Sequence, residues 1–111
     1  MLEKHIQQQI IHYLQAKGWY VQRMNSGQYA VGEGRNRRYI MGAAAGTPDI
    51  MAFKPIKSIS DVDRVDLIFV EVKQPGNKPT PLQEAKMKEL ESFGAQCLVA
   101  TSIDDVQAQG I

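Results

Sequence analysis

The segment Asp66-Leu67-Ile68-Phe69-Val70-Glu71-Val72-Lys73 constrains this chain more than any other. Five of its residues are apolar, mostly β-branched or aromatic, which is the pattern of a strand covered on both faces in the middle of a sheet. A carboxylate and an amine are set into it, where unpaired charge is costliest. Side chains alternate along a strand, so Phe69, Glu71 and Lys73 share one face, and Glu71 and Lys73 stand about 7 Å apart along it. A buried acid in such a strand needs a compensating group.

Asp49 is the candidate. It follows Pro48, which cannot donate to a ladder and commonly opens a strand, and it precedes the apolar run Ile50-Met51-Ala52-Phe53. If this second strand lies with its head beside the tail of the first, the Asp49 and Glu71 carboxylates converge. Paired carboxylates with room left for water are what Mg²⁺ requires, since it keeps most of its waters and takes one or two protein oxygens plus substrate phosphate. Mn²⁺ is the natural substitute. Lys73 beside such an ion can orient or deprotonate an attacking water.

Pro48-Asp49, then 21 intervening residues, then Glu71-Val72-Lys73 resembles the PD-(D/E)xK nuclease signature. The surrounding Gly46-Thr47-Pro48-Asp49-Ile50, the Asn25-Ser26-Gly27 turn and Gln83, ten residues after Lys73, narrow the resemblance to the small stand-alone VRR-NUC domains of that superfamily. The resemblance covers nearly all of the chain. It implies a restriction-endonuclease-like α/β core in the order αβββαβ, and a metal-dependent DNA endonuclease similar to Holliday-junction resolvases. It also implies that the main-chain carbonyl of Val72 joins Asp49 and Glu71 as a metal ligand, and that a first-helix glutamate, here Glu3, and Gln83 approach the active site. A two-fold homodimer cutting branched DNA in a phage-type setting completes what it implies. The alternatives are a nuclease that nicks or degrades ordinary duplex and a catalytically silent nucleic-acid-binding module of the same fold.

Length and composition set the frame. At 111 residues and 43% hydrophobic residues, positions 1–111 fit one globular domain, small for an enzyme gripping an extended substrate, so dimerisation would be a natural remedy. The one cysteine, Cys97, lies in an apolar run, excludes an intrachain disulfide and suits a small core residue in a reducing, cytoplasmic setting, as in a bacterial or phage-infected cell. Neither a membrane span nor a signal segment is apparent. The net charge of +1 hides an asymmetry: residues 1–60 carry eight Lys/Arg against three Asp/Glu, residues 61–111 five against nine. One basic face turned to phosphate fits that distribution.

Along the chain, Leu2, Ile6, Ile10, Tyr13 and Leu14 recur at helical spacing and Gly18 supplies a stop, predicting a first helix over 2–17. Glu3 in its first turn either interacts with the helix dipole or reaches the metal site. His5 and His12, seven apart, have no third ligand nearby and suit solvated or phosphate-touching roles. Trp19 to Asn25, which includes Arg23, is expected as a first strand entering a hairpin. The stretch 28–41 carries Arg35, Arg37 and Arg38 with Tyr29 and Tyr39. It is either a solvated charged hairpin or a basic finger holding DNA backbone, with tyrosines to stack on exposed bases and Arg23 adding charge.

Gly42 to Gly46 is small and bendable, which suits close approach of substrate or another backbone and equally a plain connecting turn. Residues 54–64 form a surface connection, and Asp61, Asp63 and Asp66 lack the glycine and closing glutamate of a calcium loop. Thr80-Pro81-Leu82-Gln83 spells a capping box, giving Gln83 a structural role beside the catalytic one. Leu82, Ala85, Leu90 and Phe93 are expected as the apolar stripe of the second helix, which Gly94 ends. Gln96 to Thr101 is a further buried strand, and Ser102 caps a short terminal helix. Strand, helix, strand from Asp66 to Thr101 predicts a right-handed crossover and a parallel pair, giving a mixed sheet of four or five strands.

Overall fold

A computed structural model describes residues 1–25, 28–56 and 64–111. Helix α1 spans Glu3–Ala16, strand β1 Tyr20–Arg23, β2 Gln28–Val31, β3 Arg38–Met41, β4 Ile50–Ile56 and β5 Arg64–Val72. Helix α2 spans Pro81–Ser92, β6 Gln96–Ala100 and α3 Ile103–Gln107. The main sheet has the order β1-β4-β5-β6, with β1–β4 and β4–β5 antiparallel and β5–β6 parallel. The fold is thus α/β with a mixed four-stranded sheet and three α-helices among the described residues.

Segment 66–73 forms the end of β5 and the residue after it, and β5 is central, flanked by β4 and β6. Its final five residues are all buried, as its unbroken apolar run requires. One face of the sheet presents Ile50, Ala52, Ile68, Val70, Val72, Leu98 and Ala100 to Ile6, Ile10 and Leu14 of α1 and Val106 of α3. Each large side chain of that set contributes about 1.5–3 kcal/mol by leaving water. The opposite face carries Asp49, Met51, Phe69 and Glu71, and only part of it is covered, with Met87 of α2 buried on the helical side.

That partial cover corrects the expected stripe of α2. Leu82 and Phe93 are 56% and 87% exposed, and Met87 is the residue that packs inward. Because α2 rests over β6, the edge strand, only a narrow seam of the helix meets the sheet, and one flexible Met fills it. Cys97 is half-buried rather than fully enclosed, with its thiol 3.6 Å from the Met87 carbonyl. Leu2, exposed, precedes α1 rather than packing with it.

The first strand also differs from expectation. β1 does not continue into the following hairpin; it pairs with β4, while β2 and β3 form a separate two-stranded sheet. The finger closes on itself, so its two ends return to one place, where the Ala43 amide donates to the Asn25 carbonyl at 3.0 Å. Gly32 at its turn has φ +81, and a Cβ there would lie 2.6 Å from the Asn36 carbonyl oxygen, so only glycine fits. With the finger set aside, the main-sheet order is helix, three strands, helix, strand, then α3. At α3 the capping differs too: the Asp105 carboxylate, not the Ser102 side chain, accepts from the Thr101 amide and hydroxyl at 2.8 and 2.9 Å. Ser26 and Gly27 of the expected turn, and Asp61 and Asp63, lie outside the described residues.

Candidate metal centre

The β4–β5 register pairs Ile50 with Val70. Continued outward, it sets Asp49 opposite Glu71 and Pro48 opposite Val72. Main-chain groups of alternate residues point to opposite neighbours: the Lys73 amide donates to Ala100 of β6, and the Met24 amide, beyond β1, donates to the Asp49 carbonyl at 2.8 Å. Asp49 and Glu71 therefore form a non-hydrogen-bonded pair, the kind whose side chains stand closest, with Cα atoms about 4.5 Å apart. Their carboxyls share a face, as the sequence suggested.

Pro48 explains why the site opens there. The Val72 amide and carbonyl both point toward Pro48, which has no amide hydrogen to offer. The Val72 N–H is satisfied instead by Asp49 Oδ2 at 2.8 Å, and the ladder gives the Val72 carbonyl no donor. Pro48 is fully buried, so this end of the ladder is fixed in place. Asp49 thus has one oxygen committed and one remaining.

Glu71 is 1% exposed, and its Oε2 has no hydrogen-bond partner. Its Oε1 lies 3.8 Å from Lys73 Nζ. Burial, then repulsion from Asp49, push the Glu71 carboxyl up to about 8; Lys73 pulls it down, while the Glu3 charge raises it further. A buried acid with an orphaned oxygen, facing a second carboxylate, is what an added cation would relieve. Asp49, Glu71 and the Val72 carbonyl fit a hard ion with oxygen ligands. Among the described residues no group of three or more His, Cys, Asp or Glu could hold a metal by side chains alone, so the fit is to an ion that keeps most of its waters. No family model matches this chain, and no curated protein does.

The other anticipated residues fall at different distances from this pair. Glu3 is near enough to act on Glu71 through its charge, and Gln74 Nε2 holds the start of its helix by donating to the Met1 carbonyl at 3.1 Å. Gln83 is occupied: its Oε1 accepts from the Thr80 main-chain N–H at 2.9 Å, while its own main-chain N–H donates to Thr80 Oγ1 at 3.2 Å, leaving the side-chain nitrogen Nε2 to face anything else. The first turn of α2 is nevertheless tied to the site, because Gly46, with φ +87, approaches Leu82 so closely that a Cβ would meet Leu82 Cγ at 2.9 Å and its carbonyl oxygen at 3.0 Å. The last residue of the small-residue run is thereby explained as helix packing.

Arg35, Arg37, Arg38 and Tyr39 are exposed on the finger, which touches no other element among the described residues. The Arg37 guanidinium lies 5.8 Å from the Tyr39 ring centre, a cation–π arrangement that leaves Tyr39 61% exposed. Tyr29 is described only by its place in β2. Arg23, exposed, ends β1 beside the finger's root. Sequence reasoning missed the Asp49–Val72 bond and the Gly46–Leu82 contact. The first was implicit in the proline before Asp49; the second has no local signal, since it joins residues far apart in the chain.

Proposed function

We propose that this protein is a Mg²⁺-dependent DNA endonuclease with a restriction-endonuclease-like core of the VRR-NUC kind, acting on branched DNA such as four-way junctions. The observation that carries this reading is the unpartnered Glu71 Oε2, buried opposite Asp49 and beside Lys73. A buried acid pair raises the folded state's energy unless a cation joins it, so retaining it makes sense where an ion is used.

Asp49, Glu71 and the Val72 carbonyl would hold the ion. When bound, it polarises the scissile phosphate and acidifies a water. Lys73, held by Glu71, orients the attacking water and stabilises charge developing on the phosphate oxygens. The water oxygen forms a bond to phosphorus, one ester P–O bond breaks, and the water's proton ends on the departing alkoxide. Arg35, Arg37 and Arg38 hold the DNA backbone, which gives affinity and register without reading sequence. Two copies arranged about a two-fold axis would present two centres to the symmetry-related strands of a junction. No helix among the described residues is long and apolar enough to cross a membrane.

The test is cleavage of a panel of four-way junction, flap, single-stranded and duplex DNA with Mg²⁺ or Mn²⁺. Junction cutting that Lys73→Ala abolishes without loss of binding is the expected result. Binding without cutting by the wild-type protein would instead identify a silent DNA-binding module, and equal cutting of plain duplex a non-specific nuclease.

A further inference from the structure

Gly42 and Ala43, the first two residues of the small-residue run, form one wall of an open pocket of about 270 Å³ at the root of the finger. Gln22, Arg23, Met24 and Asn25 form the rest. The frame is set by hydrogen bonds: the Ala43 amide to the Asn25 carbonyl at 3.0 Å, and Gln22 Nε2 to the Arg23 carbonyl at 3.0 Å. Met24 is bonded through its amide to the Asp49 carbonyl, so the pocket lies one strand spacing, about 4.8 Å, from the chain that carries the first carboxylate.

We propose that this pocket receives one unpaired nucleobase of the strand whose phosphate lies at Asp49 and Glu71. The volume sits below the roughly 300–1,000 Å³ of sites for drug-sized ligands, which suits a single flat ring system. A wall of glycine and alanine lets that ring approach backbone closely. Met24 supplies an apolar surface, Arg23 a planar cation able to stack on a base, and the Asn25 carboxamide a donor and an acceptor for a base edge.

A base inside a duplex must be extruded to enter, at a cost that is lowest where it is already unpaired. The pocket therefore selects DNA with unpaired bases at the cutting position, which deepens the branched-DNA reading and rests on it. Tyr39, out on the finger, would then act on the flanking DNA rather than on this base.

The experiment places 2-aminopurine, unpaired or paired, next to the branch of a DNA junction and follows its fluorescence with the full-length protein in Ca²⁺, while cleavage of the same DNA is measured in Mg²⁺. Wild-type protein should change the signal of the unpaired probe and prefer that DNA about tenfold over the paired form, the scale of one stacked base. Ala43→Trp, which plugs the pocket, should remove both effects. Ala43→Leu, a smaller plug, should reduce them and guards against misfolding of the first variant, with melting temperature checked for each. An unchanged signal in the wild-type complex, with cleavage intact, overturns the pocket and leaves the nuclease reading standing. A signal that depends on Ala43, without cleavage in any metal, keeps the pocket and refutes the nuclease reading.

Discussion

Replacing Glu71 with Gln isolates the buried charge at the centre of the site. Folded Glu71 holds its proton up to about 8, whereas its ordinary value is 4.5. Between those limits the folded state binds the extra proton, so stability is full below about pH 4.5, declines as pH rises, and levels off above about 8. At about 1.4 kcal/mol per pK unit the decline is on the order of 4 kcal/mol for the metal-free protein. A domain of this size shifts by roughly 4 °C per kcal/mol, so the melting temperature should fall by about 15 °C between pH 5 and 9.

The assay is thermal or urea unfolding in EDTA across that range, followed by the fluorescence of Trp19, the chain's one tryptophan, which is 6% exposed. Glu71→Gln should flatten the profile, leave the protein more stable than wild type at pH 8–9, and remove the stabilisation that Mg²⁺ gives the wild type. A wild-type profile already flat over this window would refute the placement of an ionisable group in that environment. So would a Gln variant that declines as steeply.

Asp49→Asn should weaken Mg²⁺ or Mn²⁺ binding in calorimetry by at least tenfold while keeping the hydrogen bond to the Val72 amide through its carbonyl; unchanged affinity would remove Asp49 from the ligand set. Neutralising Arg37 and Arg38 together should flatten the salt dependence of DNA binding by about one to two units of slope, and an unaltered slope would leave them as solvated charge. At the same end of the sheet, just beyond β6, the bonds from the Thr101 amide and hydroxyl hold the Asp105 carboxyl below its ordinary value, with burial opposing them slightly. Asp105→Asn should therefore cost about 1 kcal/mol in denaturant unfolding at neutral pH, a loss that shrinks as pH falls through the folded carboxyl's range; an equal cost at acid and neutral pH would point to packing instead.

The strands that carry Asp49 and Glu71 were legible in the sequence because their signals are local. An apolar run interrupted by Glu71 can only be a central strand, and period-two alternation then fixes which side chains share its face. Proline before Asp49 marked where the second strand begins, and the meeting of the two carboxyls followed from antiparallel pairing. The paired capping bonds of Thr80 and Gln83 were legible for the same reason. What the sequence hid was set by partners distant in the chain. Nothing local told β1 to pair with β4 rather than with the strand after it, since Tyr20 to Arg23 suits either neighbour. The seam of α2 depended on which strand it overlies, so Leu82 and Phe93 looked interior while Met87, an adaptable residue, took that place.

The finger's ends meet at Asn25 and Ala43, so the loop it forms could be shortened or exchanged with little disturbance to the strands that carry the acids. Under the proposed function, grip and chemistry are thereby separable: substitutions that retune which DNA is held can accumulate at the tip while the acid pair stays under its own, stricter packing constraints. On that reading, a chain built this way can change its substrate without relearning its reaction.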